Sequence, residues 1–312
     1  MPSKPTLDKQ VKCVNKVISS LGNAEDSSSH IKRLWPDSAT ILKRSRSVIF
    51  AQWEELLRLR RLVIKTADLD DIHDLRVASR RFRAVLELFY PFLRMDSKTV
   101  LKKQVRKLTQ ILGGLRNIDE ALLFFQAEGH ADTTLIQSLK DLRPGELKNI
   151  KKALKAFEHS MLDRMVRELV ADVNEMTVSD RNSISLLAYF SNMSIRQYLP
   201  IHRLLSVATA PEQYTSRHNL RIAIKKWRYF FEIISVILDR DYTHELDLLK
   251  KYQAILGQMN DIAEFEGLLG SMKLPLYERE NAKATLLAEN ISLLDNLTEL
   301  IERKPLAYTF LI

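Results

Sequence analysis

The sequence predicts an all-α fold, built as two four-helix bundles related by internal pseudo-two-fold symmetry. Three observations carry that expectation. Turn residues are scarce: 312 residues hold 8 Gly and 9 Pro, where average usage would give about 22 and 16. An all-β chain needs a turn every ~8–12 residues and could not be built from so few. Apolar residues recur at three- and four-residue spacing through long segments. Two helical motifs also recur in the same order about 145 residues further on.

Residues 1–35 are polar, with AEDSSS before His30, and read as a partly flexible N-terminal segment. Residues 36–180 then form the first four-helix half, 181–305 the second, and 306–312 a C-terminal tail. Pro36 precedes a helix over about 39–65. Asp68, Asp70 and Asp71 favour the next N-terminus, through capping and the helix dipole. That helix runs to about Pro91. A third runs from Asp96 or Ser97 to about Gly129. Pro144 suits the first turn of a fourth, which carries KNIKKALKAFEHSMLDRMVRELV. A fifth spans about Ser183 to Pro200 and a sixth Pro211 to Leu238. A seventh covers about Thr243 to Leu269, and the eighth lies between Pro275 and Pro305. Eight long helices with short connections make antiparallel bundles.

The composition sets limits on function. Hydrophobic residues at 46% and charged residues at 28% rule out wholesale disorder. The single cysteine, Cys13, excludes a disulfide framework and a cysteine-based zinc site. No apolar run nears the ~18–20 residues that span a bilayer, and MPSKPTLDKQ lacks a signal-peptide core, so a cytoplasmic location is expected. The net charge is +9, which suits an anionic partner. The excess is local. Residues 32–116 hold 20 basic and 9 acidic side chains, residues 117–216 hold 11 and 13, and residues 217–312 hold 13 and 14. Within the last segment, Arg217 to Arg228 contains five bases and no acid.

The repeat shows where that charge is used. HDLRVASRRFRAVLELF from His73 and HNLRIAIKKWRYFFEII from His218 share six of 17 residues. RKLTQILGGLRNIDE from Arg106 and KKYQAILGQMNDIAE from Lys250 share six of 15. The offsets are 145 and 144 residues, which marks a duplication. At 100° per residue, Leu75, Ala78, Phe82, Val85, Leu86 and Phe89 form one apolar stripe. Arg76, Arg80, Arg83 and Glu87 form a second stripe beside His73, about 15 Å long over residues 73–83. The copy places His218, Arg221, Lys225, Arg228 and Glu232 in the same way. Like charges at these spacings repel by a few tenths of a kcal/mol per pair. Guanidinium forks suit phosphate oxygens. The alternative is that Glu87, Glu232 and neighbouring helices neutralise the row. On the third helix Lys98, Lys102, Arg106 and Arg116 share a side, with Lys250 equivalent to Arg106 and Asn260 to Arg116. Gly113 and its equivalent Gly257 suggest close approach of another helix or of a ligand.

His73-x-x-Arg76-Val-Ala-x-Arg80-Arg81-x-Arg83, followed by Leu112-Gly113-x-x-Arg116-Asn117-x-Asp119, resembles the CHAD (conserved histidine α-helical) domain. The copy from His218 and Leu256-Gly257-x-x-Asn260-Asp261 resembles that family's degenerate second half. The resemblance covers about residues 39–303. It implies two pseudo-symmetric four-helix bundles that bind inorganic polyphosphate on a basic surface between them, and association with polyphosphate granules. The contacts it implies are His73, Arg76, Arg80, Arg83, His218, Arg221, Lys225 and Arg228, flanked by Arg106, Arg116 and Lys250. Asn117 stands where the family commonly has Asp. Lys225-Lys226 replaces an Arg pair, so the second row is less bidentate. Family members are often fused to a CYTH triphosphatase domain; the sequence has no ExExK motif, so that activity is not expected.

Non-catalytic polyphosphate binding is therefore the first expectation, with no cofactor and no metal. An RNA- or DNA-binding or scaffolding protein using the same charges is the alternative. The aromatics of the two His-Arg helices fall on the core stripe, which disfavours base stacking. A phosphate-chain enzyme would need carboxylates holding Mg²⁺, and helix capping accounts for Asp68, Asp70, Asp71 and Asp74.

Overall fold

The computed structural model describes residues 35–66, 68–89, 91, 95–175 and 183–310, so the expectation for the N-terminal segment lies almost wholly outside the described residues. Nine helices and no strand occur among those described. They are α1 (Ser38–Thr66), α2 (Leu69–Phe89), α3 (Met95–Ala127), α4 (Thr134–Lys155), α5 (His159–Glu175), α6 (Ser183–Leu205), α7 (Tyr214–Leu238), α8 (Thr243–Ser271) and α9 (Leu276–Arg303). Asp68 starts α2 as the sequence predicts, its Oδ1 accepting from the Asp70 amide at 2.9 Å.

The single helix expected from Pro144 onward is instead two. α4 begins ten residues before Pro144, where Thr133 Oγ1 caps the Ile136 amide at 3.4 Å, and Pro144 lies inside the helix. The chain then breaks over 156–158. The cause is tertiary. Buried Arg60 reaches from α1 and donates its Nε to the Leu154 carbonyl at 2.9 Å, and its guanidinium lies 5.8 Å from the Phe157 ring. The helix-end carbonyl is satisfied from outside, and α5 turns back along α1. Trp53 Nε1 donates to Asp163 Oδ1 at 2.9 Å and fastens α5 there.

Neighbouring helices pack in sequence: α1 on α2, α2 on α3 and α3 on α4, then α6 on α7, α7 on α8 and α8 on α9. Across the molecule α2 meets α7, α3 meets α8 and α4 meets α9. The two copies of the repeat therefore face each other. The apolar stripes form the core. Leu75, Phe82 and Val85 are fully buried, as are Leu220, Phe231 and Ile234. Phe82 lies 5.1 Å from Trp53, and Trp227 lies 5.0 Å from both Tyr198 and Phe231. Residues 306–310 are not helical, yet Leu306 and Phe310 are buried, and Phe310 stacks edge-on against Phe230 at 5.2 Å.

The α4–α9 seam is polar. Glu278, in the first turn of α9 and 6% exposed, accepts from the Leu135 amide at 3.1 Å and so caps α4 from another helix. Buried His130 meets Thr285 of α9 at 3.2 Å.

Candidate functional site

The packing of α2 against α7 turns two separate basic stripes into the two walls of one cleft. Its volume is about 220 Å³. Arg80, Arg83 and Glu87 come from α2, and Arg221, Lys225 and Lys226 from α7; α6 adds Gln197. Each stripe lies beside the apolar stripe of its own helix, so burying the cores carries the cations to the groove between them.

Arg76 lies at the base of the row. Burial brings its pKa down to about 10, and Arg80, Arg116 and Arg221 push the same way while Asp261 opposes. Burial also lowers Arg83, Arg116 and Arg221. In Lys225, burial and then Arg221 and Arg80 depress the ammonium to about 6, and Asp261 again opposes. Desolvation disfavours the charged forms here, and the like charges add to it. Arg221 Nη1 donates to Asn260 Oδ1 at 3.1 Å, but its Nε is buried with no hydrogen-bond partner, and so is Gln197 Oε1. Unpaired buried polar atoms of this kind, one donor and one acceptor, are unusual and costly.

Gly113 explains how Arg76 is seated. A Cβ at residue 113 would stand 2.7 Å from Arg76 Nη1. The close approach expected at this glycine is therefore made by a guanidinium rather than by another helix. At Gly257 a Cβ would meet nothing within 4 Å, so the repeat keeps the residue there without the contact.

The remaining predicted residues divide. His73 is exposed at the start of the α2 stripe; burial of its ring and Arg116 lower its pKa, with Arg76 and Arg80 adding and Asp74 opposing. Arg116 is paired with Glu120. Exposed Arg106 stands near enough to Arg83 to depress it. His218 Nδ1 lies 2.9 Å from Asn260 Oδ1, and because that oxygen also accepts from Arg221, the ring donates through Nδ1. Of the predicted residues only Arg80, Arg83, Arg221 and Lys225 line the cleft; His218 lines a neighbouring groove with Asn117, Asn260 and Glu264, and Arg228 and Lys250 are drawn elsewhere. Arg228 Nε is 3.3 Å from Glu232 Oε1, whose other oxygen is 3.5 Å from Arg81 Nε. Lys250 pairs with Asp247 at 2.9 Å and lines a different groove with Arg81 and Glu232. Glu232 thus neutralises the far end of the row, while within it Glu87 acts on Arg83 and Asp261 on Arg76, Arg221 and Lys225.

Sequence reasoning quoted Asn260 and Asp261 in the repeated motif but did not place them among the site residues. Asp261 acts electrostatically on Arg76, Arg116, Arg221 and Lys225 together. Its place in the repeat, opposite Asn117, was the available signal. Among the described residues, no group of three or more His, Cys, Asp or Glu is placed to hold a metal, and no helix is long and apolar enough to cross a membrane.

A family model of the CHAD domain matches residues 47–270, well over half of the chain. The chain belongs to the CHAD domain family. The fold agrees with solved relatives. A crystal structure of the CHAD domain from the plant Ricinus communis superposes with a TM-score of 0.71 at 19% identity, covering 86% of this chain and 93% of that one. PptA from Streptomyces chartreusis superposes at 0.57 with 14% identity, covering 86% and 98%. A search of curated proteins finds no match. In this CHAD domain Arg80 and Arg83 of the family motif line one wall of the cleft, and Arg221 and Lys225 of its copy line the other.

Proposed function

We propose that this CHAD domain binds inorganic polyphosphate in the α2–α7 cleft without acting on it chemically, and that this binding places the protein at polyphosphate granules. One observation carries the reading: Arg80, Arg83, Arg221, Lys225 and Lys226 converge on a single cleft whose wall carries one acid, Glu87. A chain of phosphates has dense charge and no bases, so it needs cations and no stacking platform. The surroundings fit. Phe82, Phe89 and Trp227 are at most 1% exposed and Trp53 is fully buried; the two rings that border the cleft, Tyr229 and Phe230, are only 8% and 2% exposed and offer little face for stacking. Trp35 is covered by Arg240, 4.4 Å from its ring. A single-strand nucleic-acid site would offer such rings beside its cations.

Arg76, Arg80, Arg83, Arg221 and Lys225 make the central contacts in this reading. His73, Arg106, Arg116 and His218 flank them. The test is fluorescence anisotropy with labelled long-chain polyphosphate at about 150 mM salt, with unlabelled RNA as competitor. Tight binding that RNA displaces poorly is expected. Ready displacement at equal phosphate concentration would make nucleic acid the better ligand class, because salt-sensitive charge contacts alone serve both.

A further inference from the structure

We propose that the cleft takes up one proton as it takes up polyphosphate, and that the proton is held on Nζ of Lys225. The inference rests on the polyphosphate reading and adds a regulatory property to the same site.

The geometry singles out Lys225. It lines the cleft one helical turn after Arg221 and is half-buried there, whereas Lys226 beside it is exposed; Tyr229 follows on α7. Across the cleft α2 presents Arg80, Arg83 and Glu87, and Arg76 acts from below. From α8 Asp261 acts on it, and Glu264 acts on the adjacent Arg221. α6 contributes the uncharged Gln197. α1 also packs on α7, but none of its described residues lines the cleft. The crowd is therefore cationic, with the carboxylates of Glu87, Asp261 and Glu264 against it.

Guanidinium groups keep their protons at any physiological pH. Crowding in this cluster is relieved where a proton can leave, and a lysine ammonium is such a group. Burial and the neighbouring guanidiniums bring Lys225 down to about pH 6, so in the free cleft at neutral pH it is an amine. A phosphate chain laid between α2 and α7 supplies negative charge on the open side. The amine then takes a proton from solvent, forms the Nζ–H bond, and donates to a phosphate oxygen. No other bond changes.

The sign follows from linkage. Below about pH 6 the free lysine already carries its proton, and affinity is flat with pH. Above that value each pH unit weakens binding up to tenfold, as one proton must be acquired. Besides the arginines, His73 is also held below its ordinary 6.5, by burial and by Arg116, so it needs its own control.

The experiment is titration calorimetry of the full chain with long-chain inorganic polyphosphate, whose titrating end groups are few. It is run at pH 7.5 in buffers of different ionisation enthalpy. Wild type is expected to take up close to one proton per site. Lys225→Met should bind more weakly, with uptake near zero and a flat pH profile. Lys225→Arg, charged throughout, should bind at pH 8 at least as tightly as wild type and without uptake. His73→Gln, at a flanking contact, should bind more weakly yet keep the uptake. Full uptake in Lys225→Met, or binding by wild type with no uptake, would overturn the proposal. If polyphosphate does not bind at any pH, the polyphosphate reading itself is wrong, and the proton coupling falls with it.

Discussion

Arg76 lies over Gly113 so closely that its Nη1 is 2.7 Å from the point where any side chain at residue 113 would begin. The pair joins α2 to α3 one helical turn before Arg80 of the cleft wall, and it gives a mid-helix glycine a purpose that helix propensity opposes. Gly113→Ala is expected to displace the guanidinium and weaken polyphosphate binding several-fold, with helicity unchanged. Gly257→Ala meets open space and should raise stability by about 0.5–1 kcal/mol without changing affinity. Urea melts and anisotropy on the two variants check the contrast.

Arg76, Arg80 and Arg83 changed together to Glu should abolish binding, by about a hundredfold or more, since each charge-assisted bond contributes roughly 1.5–3 kcal/mol. The far-ultraviolet circular dichroism should not change, because none of the three belongs to the apolar core. Lys250→Ala should stay within about twofold of wild type, as expected for a surface change away from the site. A salt titration should show a shallower log–log slope for the triple variant, with about 0.7 lost per phosphate contact by analogy with single strands.

Asp261 serves the empty cleft and opposes the filled one. Its carboxylate supports the charged forms of Arg76, Arg116, Arg221 and Lys225, and it repels a phosphate in the same space. Asp261→Asn should therefore lower stability by about 1–3 kcal/mol at low salt while tightening polyphosphate binding. Chemical denaturation and anisotropy should move in opposite directions.

Trp53 and Asp163 set an acid limit on the first half. Hydrogen bonds from the indole and from Arg167 hold the Asp163 carboxyl below its ordinary 3.8. A depressed carboxylate stabilises the fold fully above its unfolded pKa, and that contribution is lost as pH falls through the folded value. Wild type should lose this share of its stability below about pH 4. Asp163→Asn should cost about 1 kcal/mol at pH 7 and show a smaller loss on acidification. Thermal melts from pH 3 to pH 7 test it.

The helices were legible because their apolar spacing is local information. The start of α2 at Asp68 and the core stripes on α2, α3 and α7 follow from it. The α4–α5 break was not legible, because Arg60 makes it from a helix 94 residues away in sequence. Pro144 pointed to a helix start for a sound reason, but the Thr133 cap lies upstream of it. At the site, the repeat revealed the stripes and not their pairing. Lys250 matches Arg106 in sequence, yet it is turned to another groove with Asp247. Arg228 matches Arg83, yet Glu232 draws it away. Asp261 was hidden because its effect comes from three other helices.

The carboxylate of Glu278 on the α4 amides has a consequence in time. The two residues it joins, Leu135 and Glu278, are 143 apart in sequence. At about 5–20 residues per second of synthesis, α4 leaves the ribosome roughly 7–29 s before its partner exists. Through that interval the helix start is held by Thr133 alone. One wall of the cleft is likewise made long before the other. A nascent chain therefore passes through a stage with a bare arginine row and an unfinished seam, when a chaperone or a passing polyanion has its best access to it.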